Sequence, residues 1–139
     1  MSTFSTARDI PASAEAVYAA FSDPDRLATW WGPAGFTNTF HVCEFETGGR
    51  WSYTMHSPNG GSPKNESVFE SVAPDRIVIG HTSEPLYRLT VEFNPSIAGT
   101  LVTWVQEFDH PEVALRIAKI VTRANEENLD RLAAEVLGS

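Results

Sequence analysis

The chain of 139 residues is 42% hydrophobic and 20% charged, a globular balance that argues against disorder. Asp and Glu number 18 against 10 Lys and Arg, for a net charge of -8. That sign repels phosphate backbones and anionic lipid, so no nucleic acid and no membrane is expected as a partner. Cys43 is the only cysteine, so an intrachain disulfide is excluded. No apolar run approaches the ~18 residues of a membrane helix. The opening Met1-Ser2-Thr3-Phe4-Ser5 has neither a basic start nor an apolar signal core. These features lead to the expectation of one cytoplasmic domain covering 1–139.

In chain order, Thr3 to Ile10 reads as a first strand, which Pro11 ends. Ser13 is a good N-cap, and Glu15, Val17, Tyr18 and Phe21 follow at helical spacing. Asp23-Pro24 then caps a second short helix, with Leu27, Trp30 and Trp31 on its apolar side. Gly32-Pro33-Ala34-Gly35 stops that helix. Beyond it, apolar and polar residues alternate in short segments between turns, predicting strands at 38–46, 50–57, 64–73, 76–82, 86–94 and 100–108. Six successive strands with short connections make an antiparallel meander. A long helix is predicted from Pro111 to Val136, capped by Asp109 or His110 and closed by Gly138. At 100° per residue, Val113, Ile117, Ile120 and Ala124 share one face, and Val121, Asn128, Leu132 and Val136 an adjoining stripe. Ile117, Val121, Ala124 and Leu132 are the helix positions expected to be buried.

Several of these segments resemble one known family. Ile10-Pro11-Ala12-Ser13-Ala14-Glu15-Ala16-Val17-Tyr18-Ala19-Ala20-Phe21 is similar to the opening of the START-like, helix-grip (SRPBCC) superfamily. Ser22-Asp23-Pro24, Leu27 and Trp30-Trp31-Gly32-Pro33 narrow the likeness to the bacterial branch resembling the C-terminal domain of the heat-shock chaperone ATPase activator. Gly48-Gly49-Arg50-Trp51, Pro74-Asp75-Arg76-Ile77-Val78 and Gly99-Thr100-Leu101-Val102-Thr103-Trp104 match its turns and strands in order, and Asn128-Leu129-Asp130-Arg131-Leu132 fits its last helix. Many relatives carry a Gly-Trp pair where this chain has Ala124-Asn125-Glu126-Glu127. The resemblance implies an α+β helix-grip fold: a bent antiparallel sheet of about seven strands around a long C-terminal helix, with two short helices after the first strand. It also implies a cavity between helix and sheet, and no shared catalytic signature.

The residues themselves supply candidates for that cavity. Trp51, Tyr53 and Met55 share one strand face, as alternation requires. With Phe69, Tyr87 and Trp104 they offer the aromatic wall usual in small-molecule pockets. Adjacent Trp30 and Trp31 cannot face the same way on a helix, so one of them, taken as Trp31, is assigned inward. Asn128 falls on the apolar stripe of the last helix, where its amide needs a partner. His81, at a strand end beside a turn, is the histidine best placed to titrate near neutral pH. The candidate ligand-binding set is therefore Trp31, Trp51, Tyr53, Phe69, His81, Tyr87, Trp104 and Asn128. Glu70 and Glu107 are further acid–base candidates, and Glu107 is expected in an exposed ion pair near Arg116.

His41, His56, His81 and His110 are not spaced as metal ligands, and Glu44 points away from His41 and Cys43, so no metal and no cofactor is expected. Cys43 reads as a small buried hydrophobe. The expected function is binding or carriage of a small hydrophobic ligand in an internal cavity of roughly 300 Å³ or more. A cavity enzyme of cyclase, aromatase or hydrolase type is the alternative, a chaperone ATPase modulator the third reading, and a homodimer is compatible with all three.

Overall fold

A computed structural model describes residues 2–138. Its elements are β1 (Thr3–Ile10), α1 (Ala14–Ser22), α2 (Pro24–Trp30), β2 (Thr37–Cys43), β3 (Arg50–His56), β4 (Lys64–Ala73), β5 (Arg76–His81), β6 (Tyr87–Pro95), β7 (Thr100–Phe108) and α3 (Pro111–Leu137). The seven strands form one antiparallel sheet in the order β1-β7-β6-β5-β4-β3-β2. The predicted meander is therefore present, and β1 returns to pair with the last strand. Capping chemistry starts the short helices where the sequence placed them. The Ser13 hydroxyl accepts from Ala16 N at 3.1 Å, and the Asp23 carboxylate accepts from Asp25 N at 3.0 Å. At α3 the N-cap is His110, without a side-chain cap bond, followed by Pro111 at the first helical position.

Strand register settles which faces point inward. Residues directly opposite one another in a ladder share a face. Tyr87, Leu89, Val91 and Phe93 of β6 lie opposite Phe108, Gln106, Trp104 and Val102 of β7. Ile79 and His81 of β5 face Leu89 and Tyr87, and also Phe69 and Ser67 of β4. Ser67 in turn faces Trp51 of β3. This inner face carries the main core, whereas Arg88, Glu92 and Glu107 stand on the outer face, exposed. There the ion pairs run across strands, Arg88 to Glu70 at 2.7 Å and Arg76 to Glu92 at 3.6 Å. Exposed pairs of this kind contribute little stability.

The helices cover the inner face unevenly. α3 packs against β1, β7, α1 and α2. Its buried residues are Ala114, Val121, Asn125, Asn128, Leu129, Leu132 and Val136. This corrects two of the four positions expected to be buried, Ile117 and Ala124, and the face they share with Ile120. Ile120 is 70% exposed, and Ile117 and Ala124 are only half buried. The buried stripe follows 114, 121, 125, 128 and 132, and two of those positions are asparagines, so apolar periodicity alone points about one residue too far around the helix.

The two adjacent tryptophans require a second correction, because both are buried, Trp30 at 1% and Trp31 at 4% exposure. Helical spacing does not govern Trp31: it is the C-cap of α2, with extended backbone at φ -66° and ψ 133°. The chain leaves the helix there and turns the second ring onto the sheet. Trp30 Nε1 donates to Ala20 O at 2.9 Å, tying α2 to α1. Gly32 follows at φ +99°, a conformation open to glycine, and a Cβ there would crowd Met55. The guanidinium of Arg131 on α3 then holds this corner. It donates to the carbonyls of Trp31, Gly32 and Pro33 from one nitrogen, and to those of Thr29 and Phe36 from the other, at 2.7–3.3 Å. Thr29 and Trp31 stand at the end of α2, where carbonyls lack intrahelical donors; the other three belong to the turn that follows.

Candidate functional site

The inner face gathers its largest side chains into one aromatic layer. The Trp31 ring lies 4.8 Å from Trp51, 6.5 Å from Tyr53 and 6.0 Å from Trp104, centroid to centroid. Trp51 stacks on Phe69 at 5.2 Å with 11° between the planes and contacts Tyr53 at 4.5 Å. Phe40 closes the β2 side against Trp51 and Tyr53. Pairs at these separations add about 0.5–1.5 kcal/mol each beyond the area they bury. The rings are in direct contact with one another.

Polar groups border this layer. The Tyr53 hydroxyl lies beside Trp31, Ser67 and Tyr87, and burial pushes its pKa up to about 12. Burial also drives the Tyr87 hydroxyl well above its ordinary value, so both phenols are neutral donors. The His81 ring stacks on Tyr87 at 4.4 Å and 6°. Its Nδ1 lies 2.8 Å from Pro85 O and its Nε2 2.8 Å from the Asn65 side-chain amide. The sequence places His81 at an exposed-looking strand end, but it is 4% exposed. Desolvation outweighs its hydrogen bonds and lowers its pKa below 6.5. From α3, Asn128 Nδ2 donates to Trp30 O at 3.1 Å, and Asn125 Nδ2 donates to Gln106 Oε1 at 3.1 Å.

All eight candidates therefore surround or border one aromatic layer, with Asn128 at its helix boundary, engaged by the protein itself. Asn125 and Gln106 were not among them. Their signal was available in part: Gln106 has the parity of Trp104, and Asn125 lies three residues before Asn128. Cys43 is half buried, and burial raises its pKa to about 11, which keeps the thiol protonated. Among the described residues no group of three His, Cys, Asp or Glu is arranged to hold a metal ion. Among the described residues, too, no helix is long and apolar enough to cross a membrane.

A separate concavity runs along the seam between β1 and α3. A pocket of about 200 Å³ is lined there by Thr3, Phe4, Thr6, Thr122, Asn125 and Glu126. Across the β1–β7 ladder, Phe4 faces Gln106 and Thr6 faces Trp104. Of the buried polar groups Asn125 lines the pocket; it donates to Gln106, and Trp104 is the next residue on that face of β7. Thr6 Oγ1 donates to the Glu126 carboxylate at the rim, and Arg8 Nη2 reaches Glu126 Oε1 at 3.2 Å. A larger concavity of about 480 Å³ is lined by the outer-face residues Glu70, Arg88 and Glu107 with Gly80, Thr82, Leu86 and Asp109, and it also takes in His81 and Tyr87.

The comparisons with known proteins agree with this architecture. The model of the family described as Activator of Hsp90 ATPase homolog 1-like protein matches residues 11–136. A protein of Arthrobacter aurescens, solved by NMR, is 25% identical, with a TM-score of 0.88 over 99% of this chain and 87% of its own. The CV1439 protein of Chromobacterium violaceum is 26% identical, with a TM-score of 0.82 over 95% of each chain. The AHSA1-like protein of Aeromonas hydrophila is 23% identical, with a TM-score of 0.74 over 98% of this chain and 92% of its own. No protein of curated function matches. The chain belongs to the family of Activator of Hsp90 ATPase homolog 1-like proteins, within the helix-grip superfamily.

Proposed function

We propose that the chain binds a small, largely apolar molecule on the inner face of the sheet beneath α3, entering through the β1–α3 seam. The observation that carries this reading is the seam pocket of about 200 Å³, lined by Asn125, whose partner Gln106 shares a strand face with Trp104 of the buried aromatic layer. Apolar and aromatic surface with a few oriented polar groups is the composition of small-molecule sites. The rings of the layer rest on one another, so a ligand of the expected size is accommodated by displacing ring contacts, Trp31 first. That ring sits on the loop after α2 rather than on a strand, so the sheet need not deform.

The test is a panel of one- and two-ring aromatic hydrocarbons and ketones, added while tryptophan fluorescence and the thermal melt are recorded. A ligand of the native state at 100 times its Kd stabilises by about 2.7 kcal/mol, which for a domain of this size raises Tm by several degrees. The reading predicts such a rise together with quenching. A melt unmoved by every compound in the panel contradicts it.

A further inference from the structure

We infer that this site selects neutral molecules carrying a hydrogen-bond acceptor, such as a ring ketone, over hydrocarbons and carboxylates of the same shape. The inference rests on the binding reading above. Its own observation concerns the indole groups. An indole Nε1–H is a donor only and needs an acceptor when buried. Of the four tryptophans, Trp30 donates to Ala20 O, and Trp31 lies beside the Tyr53 hydroxyl. Trp51 and Trp104, at 0% and 1% exposure, have fully buried Nε1–H groups with no partner. Both belong to the inner face, both contact the Trp31 ring, and Trp104 faces Thr6 of the seam pocket across the ladder. A phenylalanine at either position would supply aromatic packing without burying an unsatisfied donor. An incoming carbonyl oxygen has the lone pairs these donors lack.

The charge of the ligand follows from what surrounds it. Among the described residues no Asp, Glu, Lys or Arg is buried, and the buried polar groups of the inner face, Ser67, His81, Gln106, Asn125 and Asn128, carry no fixed charge. Burial holds His81 neutral near pH 7. A carboxylate would meet Glu126 at the rim, where the Arg8 guanidinium is already paired with Glu126 and Asp130, and it would approach a chain of net charge -8. A neutral ketone meets neither penalty, and it satisfies the donors that a hydrocarbon leaves unpaired.

The experiment uses three compounds of one skeleton, 1-indanone, indane and indane-1-carboxylate, titrated into the full chain labelled with 15N. The four tryptophans give four indole cross-peaks. On adding 1-indanone, the indole protons of Trp51, Trp104 or both move downfield as a hydrogen bond forms. The affinity for 1-indanone exceeds that for the carboxylate by about tenfold or more, the scale of one hydrogen bond together with an uncompensated charge. In Trp104→Phe or Trp51→Phe the affinity for 1-indanone falls about fivefold to tenfold, while that for indane stays within about twofold. Carboxylate binding as tight as ketone binding in the wild type overturns the inference without use of either variant. So does an equal loss of ketone and hydrocarbon affinity in both variants, although binding itself would then stand. Failure of all three compounds to bind removes the binding reading and this inference together.

Discussion

His81 shows how far a residue's surroundings depart from what its place in the sequence suggests. A histidine at the end of β5, beside a turn, reads as solvent-facing, yet the ring is buried against Tyr87 and bonded at both nitrogens. The Pro85 carbonyl and Glu84 favour the charged ring, but desolvation is the larger effect and holds the pKa below 6.5. The sign follows from proton linkage. Between the lowered folded value and the unfolded value near 6.5, the unfolded chain binds more protons, so stability falls as pH falls through that window. Above about 6.5 the contribution is fully present. Measured from pH 7.5 to 5.5, the stability of wild type should fall more steeply than that of His81→Gln, by up to about 1.4 kcal/mol per pH unit. Parallel curves would show that His81 carries no buried penalty. Parity correctly grouped Trp51 with Tyr53, but alternation alone could not say which face was inward; only the ladder with β4 and the turn of Trp31 onto the sheet decide it.

At the scale of elements, α3 was legible in its limits and less so in its orientation. Pro111 and Gly138 bracket it in the sequence as in the structure. Its buried stripe includes Asn125 and Asn128, each engaged by a partner on another element, Gln106 of β7 and the carbonyl of Trp30. Hydrophobic periodicity counts such positions as polar and rotates the assigned face toward Ile120, which the fold leaves in solvent. The distinction is measurable by urea denaturation. Leu132→Ala, at 0% exposure, should lose about 2–5 kcal/mol, whereas Ile120→Glu should change stability by no more than about 0.5 kcal/mol. A large loss at Ile120 would place α3 in a different rotation against β1 and β7. The two short helices were the most readable elements, because their starts are written in local capping chemistry at Ser13 and Asp23. The Arg131 anchor on the corner after α2 was not readable, because its five carbonyl acceptors lie about a hundred residues earlier in the chain.

For the whole molecule, the order of elements carried most of the information. One strand, two short helices, six meandering strands and a terminal helix leave one sheet face to be covered by α3 and the α2 corner. That arrangement concentrates the aromatic side chains on the covered face and the cross-strand ion pairs of Arg76 and Arg88 on the other. The volume of the interior was not legible, since it depends on whether neighbouring rings touch, and composition does not encode contact. The seam between β1 and α3 is likewise a tertiary feature, made where Thr6 and Arg8 meet Glu126. The central claim is that a small apolar molecule enters at this seam and rests against the aromatic layer. The measurement that bears on it most directly is the set of intermolecular nuclear Overhauser contacts made by a bound aromatic ketone. A ketone bound there gives contacts to Thr6, to the side-chain amides of Asn125 and Gln106, and to the Trp104 ring. Contacts confined to the outer concavity of Glu70, Arg88, Glu107 and Asp109 would contradict it.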